Sequence, residues 1–345
     1  MAPVMIRDYP HRLGGHCGSG ALRDLIEWAG LGWGGPPSEA LVFGLGGGLS
    51  FHLMHLPGMT PSFYLGGRSA DLELDLCRRL GIAVEKRQTG DPAEAWSWVT
   101  AELDAGRPVM VWADIIHLPY LRVRLSNSRH DLVVVGYDEQ AGIAYVADND
   151  REDIQQVPLD ALAKARDSRG FPGPNRHATF PMRFPEKLPD LLPVAREAAA
   201  CSAANLRDGR DGLHGLLPGR VGYTGGLEGI ERFAAEIARW PDELDPDALS
   251  GAYRALRVFI EKAGTGGGLF RRLQAGFCHE VAERTGETSF QVAAEAYDAC
   301  AETWSRLAAA ATAPEPDREE IAKIASDLPV LEERAARALA VAGQG

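Results

Sequence analysis

The stretch HRLGGHCGSGALRDLIEWAG, residues 11–30, sets one cysteine among small residues. Gly14, Gly15 and His16 precede Cys17, and Gly18, Ser19 and Gly20 follow it. Apolar residues at helical spacing begin only afterwards, at Ala21, Leu22, Leu25, Ile26 and Trp28. Cys17 therefore stands near the N-terminus of a helix expected over 18–30. There the helix dipole and unbonded backbone N–H groups favour a thiolate, and the glycines leave room for another molecule. The plain alternative is a small structural residue at a tight helix start. A thiol nucleophile needs a base, and the base needs a third group to hold its ring. His130 opens the run HDLVVVGYD, and Asp148 closes the next run, GIAYVAD. If these are hairpin-paired strands, antiparallel geometry brings the start of the first beside the end of the second. Asn149 and Asp150 are alternative orienting groups.

The elements that must position these residues read as α+β. Helices fit 71–80 and 91–105; the latter has Asp91 as N-cap, Pro92 in its first turn and Gly106 past its end. Short β-rich runs follow at 107–114, 130–138 and 142–148, the last two joined by the hairpin-like YDEQAG. Helix first and antiparallel sheet second differs from the βαβ alternation of nucleotide folds. From 181 to 225 the sequence reads as a linker, with FPEKLPDLLP and RDGRDGLHGLLPGR. Beyond it, helical patterns at 227–240, 247–263, 269–285, 289–312 and 317–342 predict a helical bundle. The expected division is a catalytic domain at 1–180, a connection at 181–225 and a helical domain at 226–345.

The order of cysteine on a helix, histidine on a strand and aspartate on the next strand resembles the papain-like fold, in particular its bacteriocin-processing peptidases. The stretches HCGSGALRDLI, SEALVFGLGGGLSF, GRPVMVWADIIHLPY, HDLVVVGYD and YVAD more closely resemble the family named for the N-terminal domain of the butirosin biosynthesis acyltransferase (BtrH). The segment FIEKAGTGGGLFRRL resembles the uncharacterised domain usually fused behind it. The resemblance implies acyl transfer from a carrier-protein thioester to an amine, with Cys17 as nucleophile, His130 as base and Asp148 as orienter. It implies no bound cofactor, since the phosphopantetheine arm arrives with the donor. The expected partners are an acyl carrier protein and an amine-containing small molecule, in a natural-product pathway. Intramolecular attack would make a lactam-forming cyclase, and water as acceptor a thioesterase. A cysteine peptidase or amidase could use the same triad. A non-catalytic module binding a carrier protein or ligand is the other alternative.

Papain-like peptidases usually carry an oxyanion-hole glutamine about six residues before the cysteine. His11 stands there, so its ring N–H is a candidate donor beside the Cys17 backbone N–H. His16 is either a second acid–base group or a local backbone partner. Asp114 and Tyr120, in WADIIHLPY, follow a buried strand and are substrate-binding candidates: a carboxylate there could bind an ammonium, or merely cap a turn. His52 and His55 have helical i,i+3 spacing, but no carboxylate or cysteine lies near them in sequence, so no metal site is expected. GLGGGLSF (44–51) and GTGGGLF (264–270) lack the P-loop Lys-Ser/Thr. The second, followed by Arg271 and Arg272, could hold a phosphate such as that of the donor's arm, or could be a plain interhelix turn.

The formal net charge is −12, which argues against broad contact with nucleic acid or an anionic membrane. The five cysteines, Cys17, Cys77, Cys201, Cys278 and Cys300, are odd in number and widely spaced, so neither a disulfide framework nor a zinc knuckle is expected. Arg7, Asp8 and Arg12 interrupt any secretory h-region. The segment 40–67 lacks charged residues but is too rich in Gly, Pro, Ser and His for a membrane helix. A cytoplasmic enzyme is expected, with homo-oligomerisation left open.

Overall fold

The computed structural model describes residues 3–56, 58, 60–209 and 222–344. The N-terminal part runs β1 (Val4–Met5), α1 (Cys17–Trp28), α2 (Glu39–Leu45), β2 (Leu49–His55), β3 (Phe63–Arg68), α3 (Leu72–Leu80), β4 (Ala83–Val84) and α4 (Pro92–Asp104). Then come β5 (Val109–Ala113), a 3-10 turn (Ile115–His117), β6 (His130–Asp138), β7 (Ile143–Ala147), β8 (Gln155–Pro158), α5 (Leu159–Arg166), β9 (Thr179–Phe180) and β10 (Met182–Arg183). The remainder is α6 (Leu191–Asp208), β11 (Gly222–Gly225), α7 (Gly226–Ile237), α8 (Trp240–Glu243), α9 (Pro246–Arg257) running into a π-helical turn, α10 (Arg271–Thr285), α11 (Thr288–Ala311) and α12 (Arg318–Ala342). The class is α+β, with a helical C-terminal region. Among the described residues no helix is long and apolar enough to cross a membrane.

Contacts divide the chain into two compact units, Met1–Glu39 with Leu80–Leu188, and Ala40–Arg79 with Pro189–Gly345. The first is built on an antiparallel sheet ordered β8-β7-β6-β5-β9, with β1 also on β6. Val109, Val111, Leu132, Val134 and Val146 fill its core together with Leu103 of α4 and Leu162 of α5. Alternation explains this: i, i+2 residues of adjacent strands share a face, and α4 and α5 cover it. The helix α1 packs on β6, and its Leu22, Leu25 and Ile26 are each at most 1% exposed.

In the second unit β2 pairs with both β3 and β11. The segment 40–79 therefore belongs with the C-terminal helices, which differs from the contiguous front domain expected at 1–180. Backbone pairing of Gly222–Gly225 with His52–His55 joins segments far apart in sequence, and local composition carries no sign of it. The expected linker is also corrected over 191–208. It forms α6, which buries Val194, Ala195, Ala198, Ala199, Ala203 and Leu206 at three- and four-residue spacing. Pro193 lies in its first turn, where no intrahelical acceptor is lost. Most of RDGRDGLHGLLPGR lies outside the described residues.

His52 and His55 lie on a strand rather than a helix, so their spacing sends them to opposite faces. His52 Nδ1 meets the Tyr223 hydroxyl at 2.8 Å and its Nε2 the Arg68 carbonyl at 2.8 Å, while His55 Nε2 meets Glu236 at 2.9 Å. In the segment 264–272, offered as a phosphate site, Arg271 is engaged inside the fold while Arg272 is exposed. Arg271 is fully buried against Glu332, with Nε–Oε1 at 2.7 Å, and donates to the carbonyls of Ser50 and Leu269.

Candidate active site

Cys17 is the first residue of α1, and His16 is its N-cap, with extended backbone and Nδ1 accepting from the Ser19 N–H. The cap satisfies one helix-end donor, and the Gly20 N–H closes the turn onto the His16 carbonyl. His16 is thus a local backbone partner, buried at 2% exposure. Glu39 accepts from the backbone N–H groups of Gly15 (2.8 Å) and His16 (2.7 Å) and from Ser19 Oγ (3.1 Å). It fixes the turn into the helix. Sequence reading missed Glu39, since it lies more than twenty positions away in a different element.

Two clamps hold the Cys17 loop to the end of the sheet. Gly14 and Asn149 exchange hydrogen bonds, N–H to Asn149 O and Asn149 Nδ2 to Gly14 O, both at 3.0 Å. Farther out, His11 Nε2 lies 2.8 Å from the Arg151 carbonyl and its Nδ1 3.0 Å from Asp24 Oδ2. A Cβ added at Gly20 would come within 3.2 Å of the Asn149 Cβ, so the small residue is what admits this approach. His11 is corrected here. Both ring nitrogens are engaged, and although burial pulls its pKa down, the bonds to Asp24 and Arg151 raise it overall. It is a brace for the loop, with no N–H left for an oxyanion.

His130 is the first residue of β6, and the register Val133↔Ala147 brings the end of β7 alongside it. His130 Nε2 lies 2.8 Å from Asp148 Oδ2, and the ring also makes a side-chain hydrogen bond with Cys17. Burial works to lower the His130 pKa, but the charge and hydrogen bond of Asp148, helped by Cys17, raise it well above its ordinary value. Asp148 is 1% exposed. Burial alone would push its carboxyl up, yet His130, the Tyr120 hydroxyl and the Asp150 N–H hold it at about 2. Of the orienting alternatives, the ring takes Asp148: Asn149 is spent on Gly14, and Asp150 donates its N–H to Asp148 Oδ1 at 3.1 Å.

Tyr120 was expected to meet substrate; its hydroxyl instead donates to Asp148 Oδ2 at 2.5 Å, making it a support for the carboxylate. Asp114 is likewise corrected. It is 1% exposed and accepts four hydrogen bonds, from Ser126 Oγ (2.7 Å), Ser168 Oγ (2.6 Å), Asn127 N (3.0 Å) and Ile116 N (3.2 Å). Burial opposes its ionisation, but these donors lower its pKa overall. It caps the 3-10 turn and ties the 126–128 and 168 loops together, with its acceptor sites filled.

A second carboxylate does reach the sulfur: Asp131 Oδ2 lies 3.7 Å from Cys17 Sγ. Strand alternation sends neighbours to opposite faces, so its adjacency to His130 gave no signal of this. Among the described residues no group of three His, Cys, Asp or Glu side chains could hold a metal ion.

Fold and site together define an α+β protein that sets a cysteine at a helix N-terminus against a histidine–aspartate pair at the end of an antiparallel sheet. Residues 16–149 match the family model described as butirosin biosynthesis protein H, N-terminal, and residues 160–339 match a domain of unknown function (DUF4872). The second match alone spans more than half of the chain, which belongs to this family: a BtrH-type N-terminal domain followed by DUF4872. The first match begins one residue before Cys17 and ends one after Asp148. No curated protein matches the chain.

Proposed function

We propose that this chain is a cysteine-dependent acyltransferase of natural-product assembly, carrying an acyl group from a carrier-protein thioester through Cys17 to an amine. The observation that carries this reading is the hydrogen-bonded series Cys17–His130–Asp148–Tyr120 at a helix N-terminus. Its order along the chain, on helix, strand and following strand, is the order expected of a papain-like domain and supports that reading, and the family description supports a biosynthetic role. His130, favoured in its protonated form, pairs with the Cys17 thiolate. The thiolate attacks the thioester carbonyl, and the oxyanion draws on the Cys17 backbone N–H and the dipole of α1. The His130 proton leaves with the carrier thiol. The neutral ring then accepts a proton from the incoming amine, which displaces Cys17 and forms the amide.

Intact-protein mass spectrometry after incubation with short acyl thioesters tests this. A mass gain equal to the acyl group, mapped to Cys17 and discharged by amines into amides, is expected. Discharge to the acid alone, whatever amine is offered, would make the site a thioesterase. Cleavage of peptides without use of thioesters would make it a peptidase.

The support from Tyr120 has its own expected effect. A hydrogen bond to a buried carboxylate is worth about 1.5–3 kcal/mol, and Tyr120→Phe removes it while keeping the ring. Cys17 acylation should slow about tenfold, as read by quenched-flow mass spectrometry. An unchanged rate would show that Asp148 and His130 hold their geometry without the hydroxyl.

A further inference from the structure

Four arginines are buried among the described residues: Arg23, Arg79, Arg166 and Arg271. Three have a carboxylate partner, in Asp24, Glu197 and Glu332. Arg166, 2% exposed, has none among the described residues. Its Nη2 donates to the His177 carbonyl at 3.2 Å and to Thr179 Oγ1 at 2.8 Å. Its Nε is buried without a partner, and Nη1 has no acceptor among the described residues. Burial lowers the Arg166 pKa to about 10, with no carboxylate to offset it, so the guanidinium stays charged at neutral pH. A buried cation without a counter-ion is costly, and two neutral acceptors do not cancel its charge.

Arg166 lines a cavity of about 350 Å³ within the first unit, formed by residues of α4 and α5. None of its lining residues belongs to the Cys17 site. Its walls are largely apolar, with Trp96, Leu159 and Leu162 among them, and Arg166 is the one Lys or Arg that lines it. The neighbouring carboxylates are exposed and engaged elsewhere. Asp160, on the rim, accepts from the Ala161 N–H at 2.8 Å. Asp91 caps α4 through the N–H groups of Ala93 and Glu94, and Asp167 lies 3.9 Å from His177 Nε2. We infer that this cavity binds a small organic monocarboxylate, its charged end held by Arg166 and its apolar body lying against Trp96 and Leu162. A carboxylate supplies the single negative charge the guanidinium lacks and accepts from its planar donors. A phosphate dianion would find no second cation among the lining residues. A bare halide would leave the apolar walls uncovered in a space large enough for an organic molecule. The site does not depend on the chemistry at Cys17.

The full chain is titrated calorimetrically with 3-phenylpropanoate, 3-phenylpropanamide, acetate and chloride. The acid should bind at least about tenfold tighter than its amide, which keeps the ring and loses the charge. It should also bind at least about tenfold tighter than acetate, which leaves the apolar walls uncovered. Hydrogen exchange, which needs no variant, should slow on binding in the peptides covering 92–96 and 159–166. Ala163→Phe fills the cavity from a half-buried lining position and should abolish binding while the protein still melts cooperatively. Arg166→Met, where it folds, should lose the preference for acid over amide. Equal affinity for acid and amide, or no binding of 3-phenylpropanoate at millimolar concentration, would overturn the inference. So would chloride or acetate matching the larger acid, which would leave a simple counter-ion only. Binding unaltered in Ala163→Phe, or exchange protection confined to the Cys17 loop, would overturn it as well. Each of these outcomes leaves the reading of Cys17 as nucleophile untouched.

Discussion

Cys17→Ala should yield a folded protein that gains no acyl mass from any thioester, with turnover down by at least about 10⁴-fold. The size of the effect follows from the site's construction. His130, Asp148, Tyr120 and the helix dipole all act through one sulfur, so removing the sulfur leaves them nothing to activate. The fold should survive because Cys17 is only half-buried and alanine is a good helix residue. The loop is held by Glu39, Asn149 and His11 rather than by the thiol. His130→Ala should cost a similar factor, and the double variant should be no worse than either single one, since the pair acts as a unit. His130→Ala should also destabilise, because it strands the buried Asp148 carboxylate. The pH dependence separates these contributions. Asp148 is held at about 2, below its ordinary value, so its stabilising contribution is present above about pH 4 and is lost as pH falls through about 2. The raised His130 pKa works the other way: its contribution is complete below about pH 6.5 and is lost as pH rises through the raised value. Thermal melts of wild type and His130→Ala across this range measure both, and a Cys17→Ala protein retaining near-normal turnover would remove the mechanism.

Local patterns carried much of the first unit. Cys17 could be placed at a helix start because glycines precede the apolar repeat, and His130 and Asp148 could be brought together because two β-rich runs flank a short polar turn. Each inference used neighbours in sequence. Where the fold depends on distant pairing, the sequence is silent: β2 joins β11 across more than 150 positions, and Glu39 reaches back to the Cys17 loop from another helix. Polar residues near the site were the least legible. Asp114, Tyr120 and His11 have the types that bind substrate or stabilise an oxyanion, but each is consumed by partners from loops whose approach only tertiary structure sets. Asp131 failed in the opposite sense, since strict alternation on a strand removes it from the site that it in fact touches. Arg271 followed a glycine-rich turn that invites a phosphate, and nothing in its surroundings signalled Glu332, sixty-one positions later.

That last pair gives the largest expected effect on stability. Arg271 and Glu332 are each fully buried, bonded Nε–Oε1 at 2.7 Å and NH2–Oε2 at 3.3 Å. The Trp304 Nε1–H donates to the same Glu332 oxygen at 2.6 Å, and the guanidinium lies against the Phe51 and Trp304 rings at 5.9 and 5.7 Å. Its NH1 donates to the carbonyls of Ser50 and Leu269. Burying two ions is costly, and their mutual attraction only offsets that cost when the hydrogen bonding is this complete. Removing one partner therefore exposes the full penalty of the other. Glu332→Leu leaves a dry, uncompensated guanidinium and should cost about 3–5 kcal/mol, and Arg271→Met should cost a similar amount by stranding the carboxylate. The double variant should recover part of the loss, because no buried charge remains. It still leaves the Trp304 N–H and two carbonyls without these partners, at about 1–3 kcal/mol each where water cannot reach them. Denaturant melts of the four proteins give the coupling directly, and a double variant equal to the sum of the singles would show that the two charges do not interact. The same proteins decide between the two roles of Arg271. A residue locked in a buried pair fails through stability, whereas one holding the phosphate of a carrier arm fails through donor use. An Arg271→Met protein as stable as wild type, but slower only with carrier-bound thioesters and not with small ones, would return the arginine to the phosphate role.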